Sequence, residues 1–142
     1  MRFLSFHCDH YWYQTTEKSR SPLLEELNEQ NKEGKLEDVL VLLISVEKED
    51  ESNPEILKES LKEVENIIDQ IQVSNFVLLS FAHLFGRLSS PRFALDLLKK
   101  MEKHLKSKNY KVLRPPFGWF NEFELKAKGH PLSRMSRRIM EK

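Results

Sequence analysis

This chain of 142 residues has a single cysteine, Cys8, so it closes no disulfide within itself and its redox compartment stays open. It has only four glycines. A backbone loop that cradles a nucleotide is therefore not expected, and there is no glycine-rich phosphate loop, no G-x-S-x-G elbow and no H-E-x-x-H helix. No apolar run approaches the roughly 18 residues that announce a transmembrane helix. Mean hydropathy is −0.55 and 32% of residues are charged, so no membrane partner is expected. The N-terminal residues lack a basic n-region, a long apolar h-region and a small-residue cleavage site. The expectation is a protein that begins at Met1 and works in the cytoplasm. Internal repeats and low-complexity segments are missing too, and the length suits one core rather than two.

What is present is uneven in charge. Residues 1–98 carry 10 Lys/Arg against 18 Asp/Glu, and residues 99–142 carry 13 against 4. A basic end on an acidic domain is either a footprint for phosphate or a solvated helix with its exit. The richest stretch is 111–139, where Pro-Pro-Phe-Gly-Trp-Phe leads into a basic strand, a Gly-His-Pro break and an Arg-rich end. Aromatic groups beside dense positive charge suit a pocket for an anionic ligand.

Residues 2–7 and 11–15 read as two strands, the second favoured by Tyr-Trp-Tyr. Residues 17–36 read as a long polar surface connection, with a possible helical turn near residues 23–27. Connections this long are unusual, so it should cover something or contact a partner. Residues 39–46, VLVLLISV, form a continuous apolar run expected as a central strand buried on both faces. Asn53-Pro54-Glu55 supplies an N-cap, a proline at the first helical position and an acid near the dipole. Leu57, Leu61, Val64, Ile68 and Ile71 then trace one helical stripe. A second buried strand lies within 73–84. Ser90-Pro91 repeats the cap-and-proline device before Ala94, Leu97, Leu98, Met101 and Leu105. Strands follow from residue 110 and over 119–127. The order ββ-β-α-β-α-β-β predicts a single α/β domain with a mixed sheet and two crossover helices.

Candidate chemistry is sparse. His7-Cys8-Asp9-His10 resembles a metal site, but strand alternation sends His7 and Asp9 to one face and Cys8 and His10 to the other. Four ligands then fail to converge, so no metal is expected and lining of a pocket at a strand end fits better. Glu47, Glu49, Asp50 and Glu51 read as a solvated turn. His83 follows a strand that ends near Ala82, and ligands collect at the carboxyl ends of strands in open α/β sheets. A histidine there can orient a water or bind a hydroxyl, or simply be a hydrogen-bonded structural residue. His130 is open in the same way.

Several segments together resemble the N-terminal editing domain of archaeal threonyl-tRNA synthetases. They are Ile44-Ser45-Val46-Glu47 with Asn53-Pro54-Glu55, then Phe81-Ala82-His83-Leu84 with Ser90-Pro91. Pro116-Phe117-Gly118-Trp119 follows, and Lys128-Gly129-His130-Pro131-Leu132-Ser133 with Ser136-Arg137 completes the set. Their order and spacing agree over nearly the whole chain. The resemblance implies a D-aminoacyl-tRNA deacylase-like fold with a mixed, barrel-like sheet core and two main helices, assembled as a homodimer. It implies hydrolysis of L-seryl-tRNA(Thr), with the tRNA(Thr) acceptor end and the rest of a synthetase as partners and no cofactor. Ala82, His83 and Asn121 would frame the reacting water and substrate. Val46, Phe81, Pro116, Phe117, Trp119, Phe120 and Arg134 would bind substrate. Lys126, Lys128, Arg137 and Arg138 are candidates for tRNA phosphates on charge alone. The chain departs from the family pattern at four places. Phe120-Asn121 stands for Tyr-Lys, Arg134 for glutamate, Lys126-Ala127 for Ser-Cys, and Ser80-Phe81 for Tyr-Pro. Two alternatives follow: a non-catalytic tRNA-binding or dimerisation module on the same fold, or a deacylase for D-aminoacyl-tRNA.

Overall fold

The computed structural model describes residues 1–141. Strands β1 (Arg2–Lys18) and β2 (Glu33–Ser45) come first, then helix α1 (Ile56–Ile71), β3 (Asn75–Ser80), helix α2 (Pro91–Ser107), β4 (Lys111–Leu113), β5 (Trp119–Ala127) and β6 (Arg134–Arg138). The sheet runs β4-β3-β2-β1-β5, and β6 also pairs with β1. β2, β3 and β4 are parallel to one another, while β1 is antiparallel to β2, β5 and β6. This is the expected single-domain α/β architecture with a mixed sheet. The sheet is open, so the barrel-like closure in the expectation is corrected.

The run 39–46 is buried throughout because both of its faces are covered. Leu40, Leu42 and Ile44 face a core shared with Leu61, Val64, Ile67 of α1 and Leu97, Leu98, Met101 of α2. Val39, Val41 and Leu43 face a second core with Tyr11, Tyr13, Val77 and Leu79, to which no helix contributes. The period-2 alternation thus divides one strand between two cores.

Three local expectations change. The two N-terminal strands are one: β1 continues through His7–His10, its outer neighbour changes from β6 to β5 between Phe6 and Cys8, and its pairing with β5 is irregular between Cys8 and Tyr11. The long connection is shorter, because β2 already begins at Glu33, and no helix forms at residues 23–27. α1 starts at Ile56 with Glu55 at the N-cap, so Asn53 lies two residues too early and Pro54 precedes the helix; Asn53 Oδ1 accepts the Glu55 amide at 3.0 Å. Ser90 does cap α2, accepting the Phe93 amide, with a proline in the first turn as expected.

Candidate functional site

A cavity of about 440 Å³ opens at the carboxyl ends of β2 and β3. Ile44 and Ser45 finish β2 at its floor and Val46 follows them, and Leu79 to His83 bound it where β3 ends. Leu88, Ser89, Pro91 and Ala94 return along the loop into α2. Residues 115–121 and Phe123 form the opposite wall, and Ser19, Ser21 and Pro22 of the connector close the third side. Its size falls in the range of small-ligand sites. Among the described residues, His83 is the one titratable side chain on its wall. It is exposed and stands edge-on to Phe81, ring centroids 5.2 Å apart. The pairing of β2 with β3 ends at Ile44 and Ser80, so Ala82 and His83 lie beyond the last ladder position. Such a wall offers apolar surface, serine hydroxyls, an amide and one imidazole, and no carboxylate or ammonium.

Each wall is pinned from behind. The loop 81–90 is held by Phe81 N–H to Ile44 O at 2.8 Å, Ser89 N–H to Val46 O at 3.1 Å and Lys48 N–H to Arg87 O at 2.7 Å. Arg2 donates Nη1 to Leu84 O and sets Nε 3.0 Å from Glu47. The Met1 ammonium lies 2.6 Å from Asp50 and 3.3 Å from Glu47. Glu47 and Asp50 are 2% and 3% exposed. The expected solvated acidic turn is therefore half wrong, because two of its four carboxylates are buried counter-ions. The i, i+3 spacing of Glu47 and Asp50 was the available signal, since Asp50 Oδ2 accepts the Glu47 amide as a capping acid does.

On the opposite wall, Glu25 clasps the turn. Its carboxylate takes a two-pronged bond from Arg114 and accepts the Phe117 amide at 2.7 Å, and its carbonyl accepts Trp119 Nε1–H at 2.8 Å. Burial pushes the Glu25 carboxyl up, but Arg114 and the Phe117 amide outweigh it and hold it below the usual range. Arg114 is also bonded to Glu102 through Nε at 2.8 Å. Gly118 sits at φ +87°, and a Cβ there would meet Leu23 O at 2.4 Å, so only glycine lets the connector pass this closely.

The family signature described as the archaea-specific editing domain of threonyl-tRNA synthetase matches residues 1–139. This chain belongs to that family. Relatives include the threonine–tRNA ligases of Thermococcus sibiricus, 44% identical over 142 residues, and of Methanocaldococcus jannaschii, 42% identical over 143. That of Methanococcoides burtonii is 43% identical over 140 residues. These alignments cover 98–100% of this chain and 22% of each relative, so the chain spans about a fifth of the length of the curated relatives it matches.

In this editing domain the candidate residues divide into two groups. Val46, Phe81, Ala82, His83, Pro116, Phe117, Trp119, Phe120 and Asn121 all line the cavity. Arg134 does not; it lies on β6 opposite Phe6. Lys126 and Lys128 point to Asp9, at 3.7 and 3.0 Å, and Lys128 also reaches Asp38 at 3.6 Å. Arg137 lies 3.4 Å from Glu63, and Arg138 borders a small groove with Glu59 and Glu63. The connector residues Ser19, Ser21 and Pro22 escaped the sequence reading, as did Ser45, and nothing local in the sequence marks them.

The histidine-rich stretch of β1 lies away from the cavity, which corrects the expectation that it lines a pocket. The Leu132 amide donates to His130 Nδ1 at 3.2 Å, so the proton sits on Nε2, which meets His7 Nδ1 at 2.8 Å. His7 Nε2–H is then left to donate to Asp38 at 3.0 Å. This chain of bonds fixes the Gly129-His130-Pro131 loop between β5 and β6, giving that motif a structural account. His10 pairs with Glu124, and Cys8 is buried, its thiol pushed up to about 11 by burial and then by Asp9.

Proposed function

We propose that this editing domain hydrolyses the ester of L-seryl-tRNA(Thr), taking the aminoacyl end of the tRNA into the cavity beside His83. The observation that carries this reading is the cavity's position at the carboxyl ends of the parallel strands β2 and β3, in a chain whose family is the editing domain. In this reading Phe117, Trp119 and Phe120 wall the adenosine, and Asn121 hydrogen-bonds substrate or water. Ala82 and His83 frame the water that attacks the ester carbonyl. That water adds to the carbonyl carbon, the bond from that carbon to the ribose oxygen breaks, and the water's proton passes to the departing ribose oxygen, yielding serine and free tRNA. Among the described residues, no second titratable group stands on the wall to form an acid–base pair with His83. Backbone donors and the tRNA's own ribose hydroxyl are therefore left to stabilise developing charge. The tRNA(Thr) acceptor end, the rest of a synthetase and a second copy of the chain are the partners that accompany this reading.

Serine differs from threonine by one methyl group, worth only ~1–3 kcal/mol of discrimination in a pocket, which is why a second, hydrolytic site raises fidelity. The test is single-turnover deacylation with the protein in excess over seryl-tRNA(Thr) and, separately, threonyl-tRNA(Thr). Clearance of the first with sparing of the second supports the proposal; a seryl ester that survives overturns it. Side-by-side L- and D-seryl-tRNA separates the D-aminoacyl alternative.

Phe120 and Asn121 on the wall favour one second reading, a module that binds the acceptor end without hydrolysis. Asn121 has no charge with which to polarise water and Phe120 has no hydroxyl. Tight binding of uncharged tRNA with an intact seryl ester is its signature, and Asn121→Lys should then restore hydrolysis.

A further inference from the structure

The chain carries 22 Asp and Glu residues, and three of its acid-free stretches are 18–24, 70–95 and 103–121. These three stretches, with the end of β2, supply nearly the whole lining of the cavity. The one carboxylate adjoining the β2 end, Glu47, is buried against Met1 and Arg2. Of the cations in these segments, four adjoin the cavity lining in the first two, all exposed. Lys18 places its ammonium 5.9 Å from the centroid of Trp119, a wall residue. Arg20 lies between the wall residues Ser19 and Ser21, Arg87 precedes Leu88, and Arg92 follows Pro91. Among the described residues, Lys18, Arg20 and Arg87 have no carboxylate within 4.0 Å, and Arg92 has only Asp96 at 3.9 Å.

We propose that Lys18, Arg20, Arg87 and Arg92 form a phosphate-binding collar that grips the RNA backbone leading into the cavity. The inference rests on the functional reading above and names which cations serve it. Exposed, unpaired cations release condensed counterions from an RNA strand at full effect. Lys126, Lys128 and Arg137 already face Asp9, Asp38 and Glu63, so a phosphate must compete with a carboxylate for each. Lys128 in particular holds the Asp9 carboxyl below its usual range through their hydrogen bond. The collar reaches the cavity from two separated stretches, 18–20 beside the Trp119 wall and 87–92 beside the loop into α2, so a strand entering it passes cations from both.

The test compares two triple variants of the whole chain, Arg20→Gln/Arg87→Gln/Arg92→Gln and Lys126→Gln/Lys128→Gln/Arg137→Gln. The probe is an uncharged RNA hairpin with a single-stranded 3′ tail, titrated between 50 and 200 mM salt. Removing the three collar arginines should lower the slope of log Kd against log salt by about 2–3, near 0.7–0.9 per cation, and weaken binding at least about tenfold at the lowest salt. The second triple variant should keep the parental slope within about half a unit. An unchanged slope in the collar variant overturns the proposal, as does a larger loss in the other variant. Matched melting temperatures establish that both variants fold. The outcomes separate from those of the hydrolysis reading. A collar-dependent slope with an intact seryl ester leaves the collar standing and removes the hydrolase. Hydrolysis whose KM is unmoved in the collar variant does the reverse.

Discussion

Replacing Glu25 with glutamine tests whether the connector is a structural clasp for the cavity wall. Glutamine keeps the size and one acceptor but removes the charge that faces Arg114 and the Phe117 amide. Arg114 would remain mostly buried with Glu102 as its only counter-ion. A hydrogen bond to a charged group is worth ~1.5–3 kcal/mol, and both partners here are half-buried or better, so about 2–3 kcal/mol is the expected loss. Unfolding entropy near 2.1 cal/mol/K per residue gives about 0.3 kcal/mol/K for a chain of this length, so melting should fall by roughly 7–10 °C at pH 7. The pH dependence carries a sign. The Glu25 carboxyl is held below its usual range in the fold, so its contribution is present above the unfolded value near 4.3 and is lost as pH falls through the depressed one. The gap between parent and variant should therefore narrow below about pH 4. Circular-dichroism melts at pH 7 and at pH 3 measure both effects. A shift under about 2 °C at pH 7, or a gap that stays constant into acid, would refute the electrostatic clasp. Combining Glu25→Gln with Arg114→Met should cost less than the two single changes added, because each single change strands the other's charge.

Three further outcomes follow from the geometry. Gly86→Ala would set a Cβ 1.3 Å from Glu47 Oε2, a carboxylate already fixed by Met1 and Arg2, so a loss of about 1–3 kcal/mol and faster amide exchange in loop 81–90 are expected, against no change if that loop is free to shift. The Ser45 hydroxyl is buried without a partner at the cavity floor, so Ser45→Ala should leave melting unchanged or raise it while weakening binding of a non-hydrolysable seryl adenosine; a fall in melting of more than about 3 °C would mean the hydroxyl is already bonded. Cys8, buried and with its thiol pushed up to about 11, should resist a thiol-disulfide reagent at pH 8 until urea unfolds the chain, and labelling of the native protein at the rate of a free thiol would contradict its placement.

The elements legible in the sequence are those whose signal is local. The apolar run 39–46, the stripe Leu57 to Ile71 and the Ser90-Pro91 cap each state their own structure within a few residues, and each stands as expected. The elements that were misread depend on partners far along the chain. Residues 8–10 looked like a break in β1 because His7-Cys8-Asp9-His10 interrupts the alternation. Its polar side chains are satisfied by Glu124, Lys128 and His130, more than 110 positions away, so the strand continues through them. β6, with its arginines, has no strand-like composition at all; its partner is β1, and its alternately exposed pattern is that of an edge.

The site divides along the same line. The Pro-Pro-Phe-Gly-Trp wall was legible because a turn sequence shapes it locally, but the connector that grips it was not, since Glu25 and Arg114 are 89 positions apart. Charge is the more instructive case. Summing charge over the two halves drew attention to residues 99–142, where much of the surplus solvates α2 or is paired beside β5 and β6. The four collar cations lie at residues 18, 20, 87 and 92, inside the segment 1–98 whose net charge is −8. What distinguishes them is that, among the described residues, no carboxylate but Asp96 comes within 4.0 Å of them, in two separated stretches that the fold brings to one opening. A net charge is a sum along the chain, whereas the field that steers an anion is a sum over space, and the fold decides which carboxylates are close enough to cancel it.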